Sequence, residues 1–188
     1  MMIRLPVFPM ARLIAFAFVG ATVIAATSPW SFAATEKSAS RTASFLQKAV
    51  EEQQLEIVLA RLAIMNAAND EIKAFGARMI QDHQQANQEV RFLAFKEDVH
   101  LLMQLNERAI YQKAQLSGLI GTEFDQAYIT TMLRDHAEIL QEFEQAALTE
   151  QENEVRQWAA SSLTQLRDHL ERAKALASSM GIDPGRDD

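Results

Sequence analysis

The chain has 188 residues, of which 48% are hydrophobic, with a net charge of −7 and no cysteine. The lack of cysteine excludes disulfides, thioether-linked haem, thiolate metal sites and lipid attachment through cysteine. The acidic balance argues against nucleic acid, whose binders need clustered Lys and Arg, and against an electrostatic hold on anionic lipid.

In chain order, residues 1–12 carry Arg4 and Arg12 and no acid, and residues 13–26, LIAFAFVGATVIAA, are apolar throughout. Pro29 follows as a breaker, with small residues at Ser31 and Ala33. A basic start, an apolar centre and a small-x-small site predict a signal peptide over 1–33, cut after Ala33 or Ala34. The apolar run falls short of the ~20 residues of a membrane span, so no stable membrane insertion is expected after cleavage. The expected location is the periplasm or the exterior.

Residues 34–42 are expected to be a flexible N-terminus. A first helix starts at Ser40 or Thr42 and runs to about Ala68. Asn69 caps a second, with Asp70 and Glu71 in its first turn where the helix dipole favours acids, and this helix runs to about Lys96. From Glu97 to Gly121 the pattern weakens, with a short helix over about 106–117. Thr122-Glu-Phe-Asp125 reads as a capping box opening a third long helix, to about Leu148. Thr149 opens the fourth, which reaches Met180 and stops at Gly181; the tail 181–188 is expected to fray. Residues 43–180 therefore read as one all-α domain. Two short links make antiparallel pairs, and a link of about 25 residues, against the usual ~2–8, is long enough to cross from end to end. The expected fold is a four-helix bundle, ferritin-like, with one long crossover between helices 2 and 3 that contains a short helix.

Three of the four histidines occur as Asp-His pairs, at 82–83, 135–136 and 168–169. Each falls in an apolar stripe of three- and four-residue steps, where a leucine is expected. The stripe of the second helix reads Ile72, Phe75, Met79, His83, Ala86, Val90. The third reads Phe124, Tyr128, Met132, His136, Ile139, Phe143. The fourth reads Trp158, Ser162, Leu166, His169, Ala173. The first helix has no histidine, and its stripe carries Glu52 and Glu56. At 1.5 Å per residue, Glu56 and the three histidines lie ~17–20 Å from one end of the bundle, within about one turn of each other.

The segments LEIVLARLA (55–63), IKAFGARMIQDH (72–83), GTEFDQAYITTMLRDH (121–136), EFEQAA (142–147) and LTQLRDHLERAKAL (163–176) resemble a bacterial secreted, ferritin-like family known as domain of unknown function 4142. The resemblance covers about residues 43–178. It implies the fold and an exported location, with the family's glutamate and three histidines at Glu56, His83, His136 and His169, but it implies no settled activity. The family often has a proline before the last histidine. Leu163-Thr164 stands there instead, which implies a straighter fourth helix.

Two readings of the cluster follow. In one, His83, His136 and His169, with Glu56 and more weakly Glu52, ligate one transition-metal ion, with zinc or copper as candidates. Asp82, Asp135, Asp168 and Tyr128 then support the ligands from outside, and binding is expected to weaken as the histidines protonate near pH ~6. In the other, the same residues form a metal-free polar network that fixes helix register in a structural or interaction module of the cell envelope. Against the first, Asp82 and Asp168 can pair with Arg78 and Arg172 as ordinary surface ion pairs, and Tyr128 can simply pack. The paired Glu-x-x-His motifs of di-iron proteins are absent, since Ile80 and Leu166 stand three residues before His83 and His169. No nucleophile motif or phosphate loop occurs, so the sequence does not point to an enzyme. The partner is not readable.

Overall fold

The computed structural model describes residues 29–183. Residues 1–28 of the expected leader over 1–33 and the end of the tail, 184–188, lie outside the described residues. Five helices follow in order: α1 Pro29–Asn66, α2 Asp70–Lys96, α3 Glu107–Ser117, α4 Gly121–Thr149 and α5 Asn153–Ser179. Among the described residues there is no strand, only an isolated bridge from Ala67 to Gly121.

The predicted spans of α2 and α3 agree with the structure. The Asn69 side chain accepts from the Glu71 amide at 2.8 Å, and the Asn106 side chain from the Ala109 amide at 2.8 Å. The other boundaries differ. The helix start expected at Ser40 or Thr42 lies inside α1, which continues back through the stretch 34–42 expected to be flexible. No proline or glycine interrupts 34–42, and Thr42 is buried, its hydroxyl donating to Glu150 at 2.7 Å. The capping box at 122–125 does not form. The helix starts at Gly121, whose φ of +67° suits only glycine, and Ile120 precedes it without a side-chain cap. Asp125 instead accepts from the Ala68 and Asn69 amides at 3.1 and 3.0 Å, which ties the α1–α2 turn to the start of α4. Thr149 does not open the last helix. Its hydroxyl bonds back to the Gln145 carbonyl at 2.8 Å, and α5 starts three residues later than expected, after Glu152. From there α5 runs unbroken past Leu163-Thr164 and stops at Gly181, φ +72°.

Helix α1 packs along α2, and α4 along α5, as two hairpins that face each other through α1–α4 and α2–α5. Lys96, at the end of α2, pairs with Glu154 at the start of α5, whereas Gly121 lies beside Ala67 at the other end of the bundle. Residues 97–120 therefore cross its full length. The core lies in two apolar clusters. One is built around Leu59, Ile72, Phe124, Met132 and Ala173, and the other around Val50, Val90, Ile139, Phe143 and Trp158. Apart from Thr42 and Asp125 near the bundle's ends, the buried polar residues of the long helices fall between these clusters: Glu52, Gln53 and Glu56 on α1, Asp82 and His83 on α2, Asp135 and His136 on α4, and His169 on α5. Their shared level makes a polar layer across the middle of the bundle.

Helices α1 and α2 approach closely at Gly76, where an added Cβ would lie 2.9 Å from the Ala60 carbonyl oxygen and 3.0 Å from the Ala63 Cβ. Gly76→Ala gains helix propensity but must push two backbones apart. The expected net result is a loss of about 1–3 kcal/mol in urea unfolding; unchanged or higher stability would show that the hairpin gives way easily.

Candidate metal centre

The three core histidines come together. They are 3%, 0% and 1% exposed for His83, His136 and His169, and their ring centroids lie 5.3–5.9 Å apart. One nitrogen from each lies within 4.8 Å of those of the other two. Every ring has a single hydrogen-bonded nitrogen, and each partner is an acceptor. His83 Nδ1 meets the Gln53 side-chain oxygen at 2.6 Å, His136 Nδ1 the Met132 carbonyl at 3.0 Å, and His169 Nε2 the Asp82 carboxylate at 2.9 Å. A neutral imidazole has one N–H, and each ring must give it to that acceptor. The other nitrogens, Nε2 of His83, Nε2 of His136 and Nδ1 of His169, are therefore bare lone pairs, and among the described residues none has a hydrogen-bond partner.

The rings stay neutral. Burial, reinforced by the neighbouring imidazoles, holds His83 well below the usual histidine range. Burial and His169 lower His136 to about 3, against the pull of the Met132 carbonyl. Burial also lowers His169, although Asp82 acts in the other direction. Asp82 is itself lowered: burial would raise it, but hydrogen bonds from His169 and Arg78 outweigh that. It thus forms a chain from the exposed Arg78 guanidinium to the His169 ring.

The remaining expected site residues divide. Neither Glu56 nor Glu52 joins the close group of ligand atoms. Glu56 is fully buried, and among the described residues neither carboxyl oxygen has a partner. Burial, with Asp135 and Glu52 nearby, pushes it well above the usual carboxylate range. Glu52 is raised to about 7, chiefly by burial, with Arg108 opposing. Asp135, expected to orient a ring, instead accepts from Arg108 and Gln112 of α3 and from Arg134. The crossover helix claims it because α3 lies over the flank to which Asp135 points. Asp168 is an exposed partner of Arg172 at 2.8 Å. Tyr128 packs against Phe75 and stacks on Phe124 at 5.6 Å, and its hydroxyl has no partner. Sequence reasoning missed Gln53. It stands one position off the α1 stripe, and only its contact with His83 reveals its role. It also missed Arg108 and Gln112, which hold Asp135 from the crossover.

The donor set fits a transition-metal ion. Three imidazoles bring one nitrogen each within 4.8 Å of the others, against the ~3.4 Å that separates nitrogens around an ion with ~2.0–2.1 Å bonds. Each N–H anchored to an outside acceptor is the arrangement that fixes tautomer and orientation in histidine ligands.

Residues 27–176 match the family described as domain of unknown function (DUF4142), and the chain belongs to that family. A crystal structure of a DUF305 protein from Streptomyces coelicolor, described as secreted, is similar in fold. Its TM-score is 0.67 at 10% identity, over 78% of this chain and 96% of that one. No curated protein matches the chain.

The buried groups set opposite pH dependences. The histidines have folded pKa values below their unfolded value of about 6.5, so the stability they contribute is full above that pH and is lost as pH falls. Glu52 and Glu56 are raised above about 4.5, so their contribution is full below it and declines as pH rises. Each titrating group contributes a slope of about 1.4 kcal/mol per pH unit, which places the expected maximum of metal-stripped stability near pH ~6.5. Urea midpoints across pH 4–9 check it. Glu56→Gln should flatten the alkaline side; a profile still rising above pH ~7.5 in the wild type would contradict the raised pKa of Glu56.

Proposed function

We propose that this protein is an exported, ferritin-like bundle that holds one transition-metal ion on His83, His136 and His169. The observation that carries this reading is the grouping of three buried imidazoles, one nitrogen of each within 4.8 Å of the others, while each ring has one nitrogen bonded to an outside acceptor and one without a partner. A metal-free network would have the rings bond one another, Glu56 or the flanking aspartates; of these bonds only His169–Asp82 forms among the described residues, and the other three ring nitrogens have no partner. Gln53, Asp82 and the Met132 carbonyl would hold the rings around the ion.

The ferritin-like assignment is supported by the end-to-end crossover between two antiparallel hairpins. Export is supported by the basic and apolar start of the sequence and by the fold neighbour described as secreted. No described helix is long and apolar enough to cross a membrane.

Metal analysis of protein purified from the periplasm, with calorimetry on stripped protein, tests the reading. The expectation is one ion per chain. An ion at 100 times its dissociation constant stabilises the fold by about 2.7 kcal/mol, or several degrees in Tm, and His83→Ala removes the shift. The fall in affinity expected near pH 6 should move to lower pH, because these rings are neutral in the fold well below that value. No binding heat and no melting shift with zinc, copper, iron, nickel or manganese would overturn the assignment.

A further inference from the structure

This inference rests on the metal reading above and concerns which ion the centre takes. We infer that the three-histidine centre selects a soft monovalent cation, copper(I), over zinc(II).

The argument is one of charge. The group of mutually close ligand atoms holds three imidazoles and no carboxylate. Neutral donors leave the whole charge of the ion in the protein interior, beside side chains that are 0–3% exposed. Desolvation cost grows with the square of the charge, so a divalent ion costs about four times as much as a monovalent one of similar size. An attraction to nearby anions must offset that, and the nearby anions are committed. Asp82 is bound by His169 and Arg78. Asp135 is bound by Arg108, Arg134 and Gln112, and Glu52 faces Arg108 at 3.4 Å. Each of these carboxylates already faces a guanidinium. Glu56 alone is uncommitted, and it lies outside the close group of ligand atoms.

Coordination number and donor softness point the same way. Zinc completes a three-histidine site with a fourth ligand or a water, which must be brought into the buried layer, whereas three nitrogens suffice for copper(I). The donors one helical turn before His83 and His136 are the thioethers of Met79 and Met132, both fully buried, and thioether is a ligand that favours copper(I).

The test is a pair of competition titrations on the stripped full chain, repeated with Glu56→Gln and His136→Ala. Copper(I) is titrated anaerobically against bicinchoninate, and zinc(II) against a chromophoric chelator. X-ray absorption of the copper-loaded protein reports the ligand set. The expected result is one copper(I) per chain, at least about 100-fold tighter than zinc, or about 2.8 kcal/mol. Nitrogen donors should dominate the absorption spectrum. Glu56→Gln should leave copper affinity within about threefold, and His136→Ala should abolish it. Zinc binding as tight as copper, and weakened by Glu56→Gln, would overturn the inference and leave the metal centre standing. Copper retained by a folded His136→Ala protein would place it elsewhere and overturn the inference too. No binding of either ion would fell this inference, and silence from iron, nickel and manganese as well would fell the metal reading beneath it.

Discussion

Each core imidazole has one N–H, and each has given it to an acceptor outside the trio. That constraint organises the centre of the molecule. The acceptors are an amide oxygen on α1, a carboxylate on α2 and a backbone carbonyl on α4. Once they claim the donors, three lone pairs must face one another in a medium where no water screens them. A Gln53 or Asp82 lacking its acceptor oxygen would free a ring to turn over and hydrogen-bond its neighbour. The outward acceptors, more than the histidines themselves, make the inward face a set of ligands.

The polar layer treats its charges unevenly. On the α2–α5 side, Asp82 joins His169 to the surface through Arg78. On the α1–α4 side, Arg108 and Gln112 of the crossover helix reach the acids Glu52 and Asp135. Both devices place guanidinium groups, half in solvent, against buried carboxylates. The ionic charge is thereby moved to the rim while the middle remains neutral. This gives α3 a role beyond linking two ends of the bundle: it closes the acidic flank of the layer, and so the long crossover and the centre depend on each other.

The periodic signal in the sequence was enough for the long helices, the crossover and the level of the three histidines, because apolar stripes report which face of a helix is inward. What it could not reach was decided by contacts between distant segments. Asp125 looks like part of a local capping box, but the unpaired amides of the α1–α2 turn lie within its reach and take it. Thr149 looks like a cap, but it bonds within its own helix. Asp135 looks equivalent to Asp82, yet one faces a histidine across the helix pair and the other faces the crossover helix. Gln53 has no stripe to mark it. In each case the residue type is legible and its partner is not, since helical spacing carries no information about the neighbouring helix.

The layer also bears on why such a core persists. Buried polar atoms without partners destabilise a fold, by about 1–3 kcal/mol each. Here Glu56, Tyr128 and all three histidines contribute such atoms at mid-bundle, between two apolar clusters that would pack well if they met. Replacing a buried polar group and its partners by apolar residues of similar volume is commonly neutral or stabilising. A leucine at 83, 136 and 169 would continue each stripe without a break. Register could be set by a single polar contact, so three rings with outward-fixed tautomers exceed what folding requires. Local rules broken together at one level, in a chain that otherwise obeys them, are the pattern expected where stability is given up for function. An ion on the three nitrogens would return part of that loss to the folded state and to no other.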